Sequence, residues 1–115
     1  VHINRVPIAG TIEEIRYNPG KFLAAFNPKA SMDNEQNIIL INNGKAHVFV
    51  KQIAGLIARR IVCWPKKGDY YESGQRYGLI RFGSRVDILL PETTKLSVAC
   101  GDRVSGGKSI IGYLT

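Results

Sequence analysis

The stretch GDYYESGQRYG, residues 68–78, decides the expected fold, and it returns in similar form as GDRVSGGKSIIG, residues 101–112. Each copy opens on a glycine-aspartate turn, reaches a further glycine after a spacer and then runs into a short apolar segment. Glycine suits such turns because it adopts positive φ angles at little cost. The segment 7–12, with Pro19-Gly20 after it, resembles a further partial copy. The repeat predicts a β protein built from short strands.

The rest of the chain supports this prediction, because its apolar stretches are short, often alternate with polar residues and are rich in Val and Ile. Strands are predicted at residues 8–17, 37–41, 46–53, 58–63, 77–82, 85–90, 95–98 and 109–114. Asn42-Asn43-Gly44 predicts a hairpin between the second and third of them. Residues 18–36 are expected to form a long loop of the kind that serves a site.

The glycine repeat is similar to that of lipoyl and biotinyl carrier domains and to the duplicated hybrid motif of sugar-phosphotransferase carriers. This resemblance implies that the mostly-β chain forms a barrel-like β sandwich. It informs only the fold, because one fold hosts many functions.

Length and composition indicate one domain over residues 1–115, since 115 residues with 44% hydrophobic content suit one compact core. No apolar run approaches the ~20 residues that a membrane-spanning helix needs. The sequence opens at Val1 without a methionine or a signal-peptide pattern, so we expect an N-terminal segment to be missing.

The formal net charge of +7 indicates an anionic partner, which leaves nucleic acid, an anionic membrane and an acidic headgroup open. Cys63 and Cys100 lie in apolar surroundings without His or Cys neighbours. We expect reduced, buried thiols, with no disulfide framework and no metal site.

The most informative motif for chemistry is RFGSRVD, residues 81–87, which places the Gly83-Ser84 bond between two predicted strands. Gly-Ser pairs taken alone are mostly ordinary turns. The functional interpretation of this pair therefore depends on the sequence around it.

This motif resembles the self-cleavage segment of the short, archaeal-type phosphatidylserine decarboxylases. Other segments agree in the same order. HINRVPIAG (residues 2–10) resembles the family's HVNRAPVSG stretch, and PGKFL (19–23) with NPKAS (27–31) resembles its central loop. QIAGLIARRIV (52–62) is also similar to the family. The resemblance covers nearly the whole chain and identifies it as the C-terminal, catalytic part of such an enzyme.

The resemblance implies that the bond between Gly83 and Ser84 breaks without a protease. The Ser84 hydroxyl would attack the Gly83 carbonyl to give an ester, and β-elimination with loss of ammonia would leave a covalent pyruvoyl group at position 84. This cofactor would condense with the amine of phosphatidylserine and accept the electrons released as carbon dioxide leaves, which yields phosphatidylethanolamine. The enzyme would be a carboxy-lyase made as a zymogen.

His2 matches the family histidine that supplies or accepts a proton at this site, although without the resemblance a frayed terminal residue would be the favoured interpretation. The longer family members carry a second histidine three positions on, where this sequence has Arg5. Arginine is a poor base, so the base that activates Ser84 is left open. The family's aspartate for that step falls upstream of Val1, and a chain without it is expected to stay uncleaved or inactive.

The implied partner is an anionic serine phospholipid, and neither its ester or ether linkage nor its chains can be inferred from the sequence. The resemblance further implies a homodimer of cleaved two-chain protomers. It also implies attachment to the cytoplasmic face of the cell membrane through the missing N-terminal part, without nucleic-acid binding. Substrate-binding residues are not predicted.

Two other classes of function are considered. A lipoyl or biotinyl carrier needs a modifiable lysine at a hairpin tip, but no Met-Lys-Met or Asp-Lys-Ala tripeptide occurs, and Lys29 is a poor substitute. A basic nucleic-acid-binding module is supported only by the charge, since the aromatic residues form no evident stacking platform.

Overall fold

The computed structural model describes residues 2–20, 34–55, 60–81 and 84–115. The described residues form ten strands and no helix, which confirms the prediction of a mostly-β fold. The strands are β1 His2–Arg5, β2 Gly10–Asn18, β3 Gln36–Asn42, β4 His47–Ile53, β5 Ile61–Cys63, β6 Tyr70–Tyr71, β7 Arg76–Ile80, β8 Arg85–Leu89, β9 Lys95–Leu96 and β10 Gly112–Tyr113.

Two antiparallel sheets build the body of the molecule. The larger sheet contains five strands in the order β6-β2-β3-β4-β8 and curls like half of a barrel, whereas the smaller contains β1-β7-β5. β9 and β10 pair separately near the C-terminus. The core draws on both sheets, with Ile39, Ile41, Val48 and Val50 from the larger and Tyr77 from the smaller. This apolar cluster therefore holds the two sheets together.

Alternation along β4 shows how the sequence pattern sets the buried face of the larger sheet. Val48 and Val50 are buried, while His47 and Phe49, which alternate with them, are exposed. Because side chains of a strand point to opposite faces in turn, the next position on the core side is Gln52. This glutamine is fully buried, so a polar group enters the core here.

The predicted hairpin between β3 and β4 is confirmed. Gly44 has a φ of 93°, which is the conformation that glycine tolerates best. Its backbone N–H donates to the Asn42 side-chain oxygen at 2.9 Å, and the Asn43 N–H donates to the Ala46 carbonyl at 3.0 Å. The turn sets a register in which every residue of β3 faces one residue of β4.

Both copies of the glycine repeat form the same turn. In Gly68-Asp69 the aspartate carboxylate accepts a hydrogen bond from the Lys66 backbone N–H at 2.8 Å. In Gly101-Asp102 the aspartate accepts one from the Ala99 N–H at 2.9 Å. The two glycines have φ angles of 96° and 90°. The repeat that was visible in the sequence is therefore a repeat in local structure.

The strands differ from the predicted ones mainly at their ends. β1 and β6 were not among the predicted strands. The predicted strand 109–114 is reduced to Gly112–Tyr113 because only these two residues have partners in β9. The predicted strand 77–82 begins one residue earlier and ends at Ile80, which pairs with His2. Residues 58, 59 and 82, and most of the predicted loop 18–36, lie outside the described residues.

The expectation of two buried thiols is wrong for Cys100. This cysteine is exposed because it lies in the turn closed by a hydrogen bond from the Asp102 N–H to the Ala99 carbonyl. Cys63 lies in β5 and is half-buried, and its burial raises the pKa of the thiol. Both cysteines are free.

Candidate active site

Ser84 lies where the chain passes from the smaller sheet to the larger one. It follows β7 and directly precedes β8, and its residue is partly buried. The next residue, Arg85, pairs with Ile53 of β4, so the backbone just after Ser84 is anchored in the larger sheet. Gly83, the other side of the predicted cleavage bond, lies outside the described residues. Ser84 is thus positioned by the paired N-terminal end of β8.

His2 contacts Ser84 because β1 pairs with β7. In this pairing His2 lies opposite Ile80, the last residue of β7, and Ser84 follows four positions later along the chain. The Nδ1 atom of His2 and the Oγ atom of Ser84 form a hydrogen bond. The structure therefore brings together the two residues predicted to be catalytic. His2 belongs to a paired strand, so it is not a frayed terminal residue.

The pair of side chains is suited to activating a nucleophile. When the imidazole is neutral and carries its proton on Nε2, Nδ1 accepts the hydrogen bond that the serine hydroxyl donates. A base within hydrogen-bond reach of a hydroxyl is the arrangement that turns serine into a nucleophile. His2 is exposed, so its ring is also accessible to solvent.

A buried amide network connects the strand that carries His2 to the sheet that carries Ser84. Gln52 of β4 donates from Nε2 to the Asn4 side-chain oxygen of β1 at 2.8 Å and to the Val62 carbonyl of β5 at 3.1 Å. Its Oε1 accepts a hydrogen bond from Asn37 of β3 at 3.2 Å. The backbone of Gln52 also pairs with Val86 of β8. Gln52 therefore ties β1 to β8. Its partner in β1, Asn4, is two residues from His2, and its partner in β8, Val86, is two residues from Ser84.

Gly78 of β7 leaves the space that this network needs. A Cβ atom at this position would lie 2.8 Å from the Gln52 Nε2 atom and 2.1 Å from the Val62 carbonyl oxygen. Both distances are shorter than a non-bonded contact allows, and one of the atoms belongs to the backbone. The glycine therefore permits β7 to lie directly against the glutamine.

The sequence profile of the phosphatidylserine decarboxylase family matches residues 1–112. The chain belongs to this family. The match includes both members of the hydrogen-bonded pair, His2 and Ser84, and all three side chains of the amide network. It confirms the family resemblance that the motifs had indicated.

Curated relatives agree with the assignment of the phosphatidylserine decarboxylase family. The chain is 50% identical over 115 residues to the phosphatidylserine decarboxylase proenzyme of Geotalea uraniireducens, with 99% of this chain and 54% of that protein covered. It is 53% identical over 116 residues to the proenzyme of Desulfotalea psychrophila, with the same coverages. The proenzyme of Syntrophus aciditrophicus is 49% identical over 114 residues, with 97% and 53% covered. The chain thus spans about half the length of these relatives. No solved structure matches the chain significantly.

Arg5 stands where the longer members of the phosphatidylserine decarboxylase family carry a second histidine. Its Nη1 atom donates a hydrogen bond to the Gly74 carbonyl at 2.9 Å, and its side chain packs against Gly107. Gly74 and Gly107 are the equivalent glycines of the two repeat copies, so the Arg5 side chain joins the second turn of one copy to that of the other. In this chain the histidine that contacts the Ser84 hydroxyl is His2.

Sequence reasoning missed the amide network, because nothing in the family-like motifs that contain Asn4 and Gln52 shows that the two side chains meet. A further signal was a glutamine at a core position of β4, where Val48 and Val50 are also buried. In the described part of the chain no three His, Cys, Asp or Glu side chains group together in a way that would hold a metal ion. The same residues include no helix with the length and apolarity to cross a bilayer.

Proposed function

We propose that this chain is the catalytic part of a pyruvoyl-dependent phosphatidylserine decarboxylase, in which Ser84 is converted into the pyruvoyl group. The observation that carries the proposal is the hydrogen bond between His2 Nδ1 and Ser84 Oγ. It occurs in a chain whose relatives are named phosphatidylserine decarboxylase proenzymes, a name that fits an enzyme made as a precursor.

In the first stage, His2 acts as the base for self-cleavage between Gly83 and Ser84. The imidazole takes the proton of the Ser84 hydroxyl, and the oxygen attacks the Gly83 carbonyl carbon. The peptide C–N bond breaks as the ester forms, which frees the amine of residue 84. Loss of the Cα proton then expels Gly83 as a carboxylate, and addition of water with release of ammonia leaves the keto group. This assignment gives the role of the base to His2 and not to Arg5.

The surroundings of Ser84 suit a reactive group at this position. Ser84 is partly buried, precedes the first paired residue of β8 and already contacts a group that transfers protons. A pyruvoyl carbonyl supplies an electron sink, which none of the twenty side chains provides. After cleavage, β8 holds residue 84 in place through its pairing with β4. β1 keeps His2 beside it, where the imidazole donates or accepts a proton.

The proposed reaction converts phosphatidylserine into phosphatidylethanolamine and carbon dioxide. Its support is the name of the relatives, together with the formal charge of +7, which attracts an anionic headgroup. We place the enzyme at the cytoplasmic face of the membrane as a homodimer of cleaved two-chain protomers. These two assignments follow the resemblance to the family.

For the fold, we propose one domain over residues 1–115 of the duplicated hybrid or lipoyl-biotinyl carrier type, a barrel-like β sandwich. The matching turns of the two repeat copies support this assignment. The second turns of the copies also approach each other, since a Cβ on Gly74 would lie 3.9 Å from the Gly107 carbonyl oxygen. Two equivalent turns in contact are what a duplicated motif with internal symmetry predicts.

The test uses the complete gene product that carries this chain, purified beside its Ser84→Ala, His2→Gln and His47→Gln variants. Intact mass should give two pieces for the wild type, divided between residues 83 and 84, and the purified protein should release carbon dioxide from phosphatidylserine vesicles. Ser84→Ala should remain in one piece without activity, and His2→Gln should cleave far more slowly. His47 lies on β4, where its Nε2 atom is 3.4 Å from a carboxylate oxygen of Glu13. It does not belong to the His2–Ser84 pair, so His47→Gln should behave as the wild type. Cleavage of His2→Gln at the wild-type rate would remove His2 from the first stage, and an active Ser84→Ala would end the proposal.

A further inference from the structure

Arg5 is the last residue of the strand that carries His2. The regular pairing of β1 with β7 stops at Asn4, because the register shifts between Asn4 and Arg5. Beyond this point the chain is held by the turn around Gly74, here called the Gly74 turn. The Gly74 N–H donates to the Val6 carbonyl at 2.8 Å, and the Arg5 Nη1 atom donates to the Gly74 carbonyl at 2.9 Å. This turn therefore fixes the end of β1 that lies opposite to His2.

The same side chain also contacts the C-terminal part of the chain. A Cβ atom on Gly107 would lie 2.8 Å from the Arg5 Cδ atom, 3.1 Å from its Nε atom and 3.4 Å from its Cζ atom. Both the aliphatic stem and the guanidinium therefore lie against a position that has no side chain. A Cβ on Gly74 would in turn lie 3.9 Å from the Gly107 carbonyl oxygen. Arg5 thus contacts two turns that themselves approach each other.

Gly107 belongs to a segment that makes its hydrogen bonds within itself. Two backbone bonds to the Ser105 carbonyl, at 3.1 and 3.0 Å, close the turn of residues 105–109, here called the Gly107 turn. β9 and β10 of the same segment pair with each other. Within the described residues, every hydrogen bond of residues 91–115 joins two members of this segment. The position of the segment therefore depends on its link to β8 and on packing contacts such as that of Arg5 with Gly107.

We propose that Arg5 is a positioning residue, which clamps β1 between the Gly74 and Gly107 turns and so aligns His2 with residue 84. This inference rests on the proposed function, because that function makes His2 the group that transfers protons at residue 84. Self-cleavage would place the two turns in different pieces, since Arg5 and Gly74 precede the Gly83–Ser84 bond and Gly107 follows it. The clamp is therefore also a contact between the two pieces of the cleaved protein.

The clamp acts on His2 through a short strand. β1 has four residues, so about 10 Å of extended chain separates Arg5 from His2. β1 is the last strand of the smaller sheet and pairs with β7 on one side. A shift at its Arg5 end therefore tilts the strand and changes how the His2 imidazole meets the Ser84 hydroxyl, to which it is hydrogen-bonded. This role requires no proton transfer by Arg5, which suits a guanidinium that stays protonated at neutral pH.

Two alanine variants with the same backbone strain test the contact between Arg5 and Gly107. Gly107 and Gly101 have φ angles of 76° and 90°, so alanine should lower stability similarly at either position. A Cβ on Gly101 meets no atom within 4 Å, whereas one on Gly107 pushes the flexible Arg5 side chain aside. Gly101→Ala is therefore the matched control for Gly107→Ala.

The first experiment measures Tm and the self-cleavage rate of the complete gene product. The two glycine variants should show a similar drop in Tm, but Gly107→Ala alone should slow cleavage, by roughly tenfold. This is less than the roughly hundredfold that a misplacement of about 1 Å can cost, because Asn4 still ties β1 to Gln52. Equal cleavage rates in Gly107→Ala and Gly101→Ala would overturn the clamp and leave the proposed function intact.

Substitutions of Arg5 separate positioning from a purely structural role. Arg5→Ala should slow cleavage as Gly107→Ala does, and Arg5→Lys, which keeps a donor for the Gly74 carbonyl, should recover most of the rate. The added methyl of Gly107→Ala should have no further effect in Arg5→Ala beyond that of Gly101→Ala, because no side chain is left to displace. In the cleaved enzyme, Arg5→Ala should lower kcat for phosphatidylserine and leave KM unchanged. A lower Tm with unchanged cleavage and unchanged kcat would refute the positioning role.

Amide hydrogen exchange separates this proposal from the function on which it rests. In the Ser84→Ala protein, which should stay in one piece, Arg5→Ala should speed exchange in β1, in the Gly74 turn and in the Gly107 turn. Gly101→Ala should leave β1 and the Gly74 turn unchanged. If this holds while the wild type neither cleaves nor releases carbon dioxide, the clamp stands and the decarboxylase assignment fails. Unchanged exchange in the Gly107 turn of Arg5→Ala would refute the clamp even in an active enzyme.

Discussion

Replacement of Gln52 by leucine should both destabilise the protein and slow its self-cleavage. Gln52 is fully buried, and its side chain holds Asn4, which is two residues from His2. Leucine has a similar volume but neither donates nor accepts hydrogen bonds. The amides of Asn4 and Asn37, which are 6% and 4% exposed, would then lose this partner inside the core.

The size of the effect follows from these contacts. A buried polar group that loses its hydrogen-bond partner costs about 1–3 kcal/mol, so the two groups bonded to Gln52 Nε2, the Asn4 side chain and the Val62 carbonyl, cost about 2–6 kcal/mol together. The extra apolar surface of leucine offsets about 1–2 kcal/mol of this cost. The free energy of unfolding should therefore fall by about 3 kcal/mol, which is a large part of the roughly 5–15 kcal/mol that stabilises a typical domain. Once β1 is no longer tied to β4, a shift of about 1 Å at His2 should slow cleavage roughly a hundredfold.

Two measurements check this prediction. Urea unfolding of the complete gene product, made in the Ser84→Ala background, reports stability for an uncleaved chain. The cleavage rate of newly made precursor, with Ser84 present, reports the alignment of His2. Phe49→Leu is the control for both, because Phe49 lies on the same strand but points to solvent and should change little.

A double variant makes the reasoning specific to the hydrogen bond. Asn4→Leu combined with Gln52→Leu removes both partners, so the loss of stability should be smaller than the sum of the two single losses. Unchanged unfolding and unchanged cleavage in Gln52→Leu would refute the idea that the amide network holds the site.

Three further predictions concern the packing around this site. Gly78→Ala should destabilise the protein by several kcal/mol in the same unfolding assay, because its Cβ would lie 2.1 Å from a backbone carbonyl oxygen. Gly106→Ala is the control and should be close to neutral, because a Cβ on Gly106 meets no atom within 4 Å. Tyr77→Phe should raise the free energy of unfolding by about 1 kcal/mol, since the buried Tyr77 hydroxyl has no hydrogen-bond partner in the described part of the chain; a lower stability would reveal a partner. A thiol reagent at neutral pH should label the exposed Cys100 before Cys63. Burial raises the pKa of the Cys63 thiol, so less of it is present as the reactive thiolate. Peptide mass mapping gives the order of labelling, and the reverse order would contradict this prediction.

The sequence by itself determined the parts of this protein that depend on neighbouring residues. The Asn42-Asn43-Gly44 hairpin, the alternation of β4 and the equivalent turns at Gly68 and Gly101 follow from the conformations that a few adjacent residues allow. The resemblance to the phosphatidylserine decarboxylase family also came from the sequence, because it rests on motifs in a fixed order. It selected Ser84 and His2 before any distance between them was known.

Only the tertiary structure decided how distant segments meet. His2 contacts Ser84 because β1 pairs with β7 in one register, and the resulting hydrogen bond joins residues 82 positions apart. The partners of the Gln52 side chain carry no local signal either, since they depend on how β1 lies relative to the larger sheet. Strand pairing and the shared core set that arrangement, and both are sums over many remote contacts that no short stretch of sequence encodes.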